Sequence, residues 1–348
     1  MSTFTLACPV PIAVKGHVTL GHGSGGKLSA ELMRDVFLPA FQNDTLARLD
    51  DQAIVKIGAA RIAFTTDSFV VKPLFFPGGD IGSLAVHGTV NDLAMGGAKP
   101  LFLSVAFIIE EGFEMSALRR IAESIARAAA ACGIQVITGD TKVVDKGCGD
   151  GVFINTTGLG VVPNNLLLSA SQARPGDAII LSGFIGDHGI AILGAREGLE
   201  FESAVESDSA PLHELVNDIL SVAGGIRCMR DPTRGGVSST LNEIAAQSHV
   251  GMVLEEETIP VREEVRGACE MLGLDPLYVA NEGKLIAIVD PAEADKVVEA
   301  MRANPLGRDA RRIGTVTASD PGWVTMRTVL GTTRIVDMLA GDQLPRIC

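Results

Sequence analysis

LFLSVAFIIEEGFEMSALRRIAESIARAAAACGIQVIT, Leu101–Thr138, is the stretch on which the fold turns. Leu101–Ile109 is a short apolar run, the signature of a buried strand rather than a membrane span, for which it is far too short. Met115–Ala131 places Leu118, Ile121, Ile125 and Ala129 on one stripe, the spacing of an amphipathic helix. Ile134–Thr138 then reads as a second strand.

The same alternation extends in both directions. Ala53–Ile57 and Arg61–Thr66, split by Gly58-Ala59-Ala60, read as a hairpin, followed by a helix over Leu84–Met95. Val152–Val162 completes a first half of four to five strands. Arg174-Pro175-Gly176-Asp177 is a turn opening a second unit. There, strands at Ala178–Ser182, Lys284–Val289, Arg312–Thr317 and Trp323–Met326 are interleaved with helices. This order predicts two α/β domains of α+β type with helices on one face. The expected limits are an N-terminal extension over 1–17, a first domain over 18–165, a second over 166–337, and a mobile tail over 338–348.

The chain has 348 residues, 47% of them hydrophobic and 20% charged, which suits a well-cored protein of two domains. Aromatics make up 4%, so the core must be built from Val, Ile, Leu and Ala. A net charge of −13 argues against nucleic acid as a partner, because nonspecific binding rests on Lys and Arg neutralising phosphates. No membrane partner is expected either. The cysteines Cys8, Cys132, Cys148, Cys228, Cys269 and Cys348 follow neither zinc nor disulfide spacing and fit a reducing cytoplasm. The last of them ends the chain in Pro345-Arg346-Ile347-Cys348. Chain ends tolerate change, so a frayed terminus is the plainer reading of that thiol taken alone.

Gly21-His22-Gly23-Ser24-Gly25-Gly26-Lys27 is the densest glycine loop. It lacks the strand and parallel unit of a dinucleotide fold, and Leu28 stands where a P-loop needs Ser or Thr. A loop of free N–H groups ending in Lys before a helix suits phosphate oxygens, and suits a flexible N-terminal loop equally well. Asp67, Asp92, Asp140 and Asp231 sit at strand-to-loop transitions. Hard carboxylate oxygens grouped this way suit Mg²⁺ beside substrate phosphates, although each alone reads as a turn or cap. Thr233-Arg234-Gly235-Gly236 is a second candidate phosphate loop. Glu282 is a candidate base, Lys284 a solvated cation, and Lys142 a candidate partner.

These segments, with Phe75–Gly82, Asn91–Ala94, Thr138–Val144, Asn281–Lys284 and the terminal Pro345–Cys348, occur in an order that resembles the HypE family. These are [NiFe]-hydrogenase maturation factors within the aminoimidazole-ribonucleotide-synthetase-like ATPase superfamily. The resemblance runs from about Val18 to the last residue. It implies a homodimer in which first-domain sheets pair across the two-fold. It further implies ATP and Mg²⁺ as cofactors, bound by Gly23, Ser24, Gly25, Gly26, Lys27, Asp67, Asp92, Asp140, Thr141, Asp231 and Arg234, with Asp67, Asp92, Asp140 and Asp231 toward the metal. Cys348 would carry a carboxamide received from the carbamoyltransferase HypF. ATP would drive its dehydration to a thiocyanate, with Glu282 as base and Lys142 as electrostatic partner, and the cyanide would pass to the HypC–HypD complex. Selenide, water dikinase fits less well, because Ser24 and Gly26 stand where that relative has thiols. Thiamine-monophosphate kinase needs no terminal thiol. A non-enzymatic carrier of the same group is the other alternative.

Overall fold

The structure, a computed structural model, describes residues 17–41, 43–198 and 205–341. Cys348, Cys8, residues 1–16 of the expected extension and residues 342–348 of the expected tail lie outside the described residues.

The described chain opens with a 3₁₀ turn at Leu20–Gly23, followed by Lys27–Leu32 (α1), a π-helical turn at Met33–Phe37 and Leu38–Phe41 (α2). The first sheet uses Ala53–Ile57 (β1), Ala60–Phe69 (β2), Lys99–Glu110 (β5), Gln135–Val144 (β6) and Val152–Val162 (β7) in the order β1-β2-β7-β5-β6. Phe75–Phe76 (β3) and Gly79–Asp80 (β4) form a separate small hairpin. Within the first sheet β5 and β6 are the parallel pair, joined by Met115–Ala131 (α4), the helix of the decisive stretch.

Ile81–Met95 (α3) and α4 cover one face of this sheet. Asp80 caps α3 by accepting from the backbone N–H of Gly82 and Ser83, and Ser124 of α4 donates to the same carboxylate at 2.7 Å. Gly82 lets the helices touch, since a Cβ there would strike the Ile121 carbonyl. α3 is apolar nearly all round because it also packs on the second half of the chain.

The second sheet contains Ala178–Leu181 (β8), Ile226–Arg230 (β9), Gly251–Glu255 (β10), Ile286–Val289 (β11), Arg311–Thr317 (β12), Val324–Arg327 (β13) and Thr333–Ile335 (β14). Its order is β14-β13-β10-β12-β8-β11-β9. Its helices are Asp187–Glu197 (α5), His213–Val222 (α6), Gly236–Ser248 (α7), Glu263–Leu272 (α8) and Ala294–Ala303 (α9).

Helices lie on both faces of this sheet, not on one. Ile179 and Leu181 join α7 in one core, while Ala178 and Ile180 join α6 and α9 in another. The reason is visible in β8 and β11, which are apolar at every position and need cover on both sides. Strands β9 and β10 escape simple alternation and were not expected from the sequence.

The uncovered face of the first sheet is apolar. Phe64, Leu159 and Phe102 stand in one register row across β2, β7 and β5, and Ile108, Phe153 and Lys142 in another. Phe64, Phe102 and Ile108 are exposed. Edge strand β6 is exposed from Gln135 through Val143, with Val136, Ile137 and Val143 bare.

Candidate active site

The two glycine loops meet back to back. Gly25 has φ +75° and its missing Cβ is what admits the Arg234 backbone, while Gly235 has φ +77° directly before α7. Together they wall a cavity of about 430 Å³ that also reaches β2, α3 and the segment after β9. Gly23, Gly25, Asp67, Asp92, Asp231, Arg234 and Glu282 all line it. Seven sequence-predicted residues, far apart in the chain, are thus brought together.

Asp51, immediately before β1, completes the acidic wall. One carboxylate oxygen each from Asp51, Asp92 and Asp231 lies within 4.8 Å of the others, a set that fits a hard divalent cation. Burial raises all three carboxyls, Asp92 well above the usual range with Asp67, Asp231 and Asp51 adding to the rise, and Asp231 to about 6. Asp67 is raised by burial and eased by Arg234. Thr65 steadies Asp92 by donating from Oγ1 to Oδ2 at 2.8 Å. Asp51, Asp92 and Asp231 are the residues that would hold a Mg²⁺ ion, with Asp67 beside them.

Glu282 sits on the same cavity, buried, with its carboxyl raised well above the ordinary range by burial and then by Asp231, Asp208 and Asp67. Its backbone is gripped from both halves of the molecule. Asn91 of α3 donates to the Glu282 carbonyl at 3.2 Å and to the Ala210 carbonyl at 3.1 Å. Asp208 Oδ1 accepts from the Glu282 N–H at 3.0 Å. The neighbouring Asn281 side chain ties Gly186, Pro232 and Val279 to the same loop. Lys284 is not solvated as expected: it is nearly buried and paired with Asp208 at 3.0 Å.

The remaining predicted residues fall elsewhere in the described chain. Asp140, Thr141 and Lys142 do not line the cavity; they are exposed on β6, with Lys142 Nζ 2.8 Å from Asp140 Oδ2. That contact holds Asp140 below the usual carboxylate range. Expected at a strand-to-loop transition, Asp140 instead lies in the middle of β6, and its sequence looks the same whether that strand is central or at an edge. Gly26, Lys27 and Ser24 face away from the cavity toward Asp337–Gly341.

Domain-level comparison matches "AIR synthase related protein, N-terminal domain" over residues 49–162 and "AIR synthase related protein, C-terminal domain" over residues 174–326. The carbamoyl dehydratase HypE of Cupriavidus necator is 57% identical over 348 residues, covering 99% of each chain. The chain belongs to the HypE family. Two solved HypE structures agree, each 49% identical. A HypE–HypF complex superposes with a TM-score of 0.84 over 88% of this chain and 99% of that one. HypE in complex with ATP superposes with a TM-score of 0.80 over 95% and 100%.

Set in the HypE family, the residues that sequence reasoning missed are Asp51, Arg230, Glu243, Asn91 and Asp208. Only Asp50-Asp51 at the mouth of a strand offered any signal. Arg230 and Glu243 sit in a strand and a helix whose sequences read as ordinary structure. Asn91 stands beside Asp92 in Asn91-Asp92-Leu93, and an uncharged amide in a helix carries no sequence mark of its own.

Proposed function

We propose that this chain catalyses ATP-dependent dehydration of an S-carboxamide carried on Cys348 to a thiocyanate, supplying cyanide for the iron of [NiFe]-hydrogenase. The observation that carries the reading is the meeting of Glu282 with Asp51, Asp92 and Asp231 in one cavity walled by two glycine loops. ATP as cosubstrate is supported by the HypE structure solved with ATP.

The carboxamide oxygen attacks the γ-phosphorus and ADP leaves. The O-phosphorylated carbon then loses phosphate while both N–H protons depart, leaving R–S–C≡N; the oxygen lost from carbon leaves in the phosphate. Phosphorylation is needed because an amide oxygen leaves poorly by itself. A Mg²⁺ held by the aspartates would neutralise phosphate charge. Glu282, buried and raised, is a strong base once ionised and takes an N–H proton. Arg234 is the cation positioned on the cavity wall for phosphate oxygens.

Lys142 and Asp140 enter this reading through a homodimer. The apolar face of the first sheet, with Phe64, Phe102 and Ile108 bare, suits a second copy of the same face, and the β6 residues would then reach the site across the two-fold. HypF as carbamoyl donor is supported by the HypE–HypF complex. HypC–HypD as acceptor and a cytoplasmic location belong to the same proposal. Among the described residues no helix is long and apolar enough to cross a membrane.

Mass spectrometry of the C-terminal peptide tests it. Carbamoylated Cys348 should lose one water on adding ATP and Mg²⁺. No mass change would leave only a carrier.

A further inference from the structure

The last described residues lie in a fixed register against the glycine loop and α7. Asn242 Nδ2 donates to the Val336 carbonyl at 2.8 Å and Ser238 Oγ to the Asp337 carbonyl at 2.6 Å. These two donors are one turn apart on α7 and share a face. Lys27 then makes two contacts: its backbone N–H donates to the Leu339 carbonyl at 2.8 Å, and its Nζ lies 2.6 Å from Asp337 Oδ2. Ser24 Oγ, which donates to the Gly21 carbonyl at 2.8 Å, also lies 3.2 Å from the Gly341 carbonyl. A Cβ on Gly26 would collide with the Leu339 carbonyl, so glycine is what admits this segment.

We infer that Ser24–Lys27 is the mooring of the C-terminal segment, with Lys27 and Asp337 as positioning residues for the thiol that ends the chain. The glycine loop therefore has two sides. Gly23 and Gly25 wall the cavity, while Ser24, Gly26 and Lys27 hold the chain that leads to Cys348. Here the Lys27 ammonium is committed to a carboxylate of its own chain. Lys27 and Asp337 are each about half exposed, and such a pair holds little alone. Its part is to select the register that the four carbonyl contacts then keep. Seven residues follow Gly341, and fully extended they span at most about 25 Å. A tether that starts at a moored Gly341 is shorter than one released at Val336, and a shorter arm makes its end less dilute.

This rests on Cys348 as the group carrier, and the experiment separates the two. Hydrogen–deuterium exchange over 333–341 is measured on the full-length, nucleotide-free, uncarbamoylated chain. Asp337→Asn should speed exchange there and Gly26→Ala should speed it more, with the rest of the chain unchanged. The MgATP dissociation constant of Asp337→Asn should stay within about twofold of the parent, while ATP-driven dehydration slows about fivefold or more. The exchanged pair Lys27→Asp with Asp337→Lys should regain both protection and part of the rate. Unchanged exchange in Asp337→Asn overturns the mooring, as does weakened MgATP binding without faster exchange, which would place the pair in the nucleotide site. If exchange responds while the parent shows no dehydration, the mooring stands and the dehydratase reading falls.

Discussion

Arg230 Nε lies 2.6 Å from Asp51 Oδ1, and Arg230 Nη2 lies 2.9 Å from Glu243 Oε2, on the wall of the same cavity. One guanidinium therefore offsets part of the acidic wall, on a cavity that Asp51, Asp92, Asp231, Glu243 and Arg230 itself all line. Burial works against its charge, but Asp51 and Glu243 outweigh that and hold Arg230 protonated. Arg230→Met should destabilise the fold by roughly 1–3 kcal/mol, because it strands the nearly buried Asp51 carboxyl and removes the partner of the part-exposed Glu243. Thermal denaturation measures this, and an unchanged melting temperature would remove Arg230 from the framework.

The raised carboxyls set a pH dependence. Asp231 goes from an ordinary 3.8 to about 6, so at intermediate pH the folded chain binds protons that the unfolded chain has released. Stability without divalent cation should therefore fall as pH rises through that window. Mg²⁺ needs the ionised carboxylates, so the gain in melting temperature on adding it should be larger at pH 8 than at pH 5. Asp92→Asn should abolish most of that gain. Equal gains at both pH values would contradict a cation among Asp51, Asp92 and Asp231.

Glu282→Gln keeps the shape of the loop and removes the base. Dehydration of the carbamoylated tail should slow by about 10²–10⁴-fold while MgATP affinity is retained. Turnover close to the parent rate would take Glu282 out of the chemistry.

Asn91 reaches from α3 to the loop that presents Glu282, and its Oδ1 accepts from the Leu212 N–H at 2.7 Å. Asn91→Leu should cost roughly 2–4 kcal/mol by orphaning the Glu282 and Ala210 carbonyls and the Leu212 N–H. Chemical denaturation reads the cost, and a loss below the scatter of the method would show that the contacts are replaced.

Phe64→Lys together with Phe102→Glu puts charges on the open face of the first sheet without touching the cavity. Sedimentation should show a dimer becoming a monomer while the far-ultraviolet circular dichroism stays constant. A parent chain that sediments as a monomer would refute pairing through this face.

Much of the architecture was legible in the linear pattern. Met115–Ala131 is a helix over the very residues its apolar stripe marks, and Val152–Val162 is a strand over the residues its turns enclose. Local periodicity carries such elements because one face of each must meet a core. Strand β9 did not announce itself, because Ile226–Arg230 mixes arginines with apolar residues and gains its pairing only from β11. The segments bearing Asp67, Asp92, Asp231, Arg234 and Glu282 were visible as polar and glycine-rich interruptions between apolar runs, but Asp67 lies within β2 and Asp92 within α3 rather than at strand-to-loop transitions.

Residue order by itself determined the two-part α/β plan, the acidic and glycine-rich loops, the candidate base Glu282 and membership in the HypE resemblance. Only the tertiary structure decided which aspartates share a cavity: Asp51 joins Asp92 and Asp231, while Asp140 stays with Lys142 on an exposed edge. The physical reason is that a turn aspartate is chemically alike wherever it occurs. Its burial, its neighbours and therefore its charge state are set by the packing of strands distant in sequence. The same holds for Lys27, a phosphate-type lysine by motif that the folded chain pairs with Asp337, residues that only tertiary packing brings together.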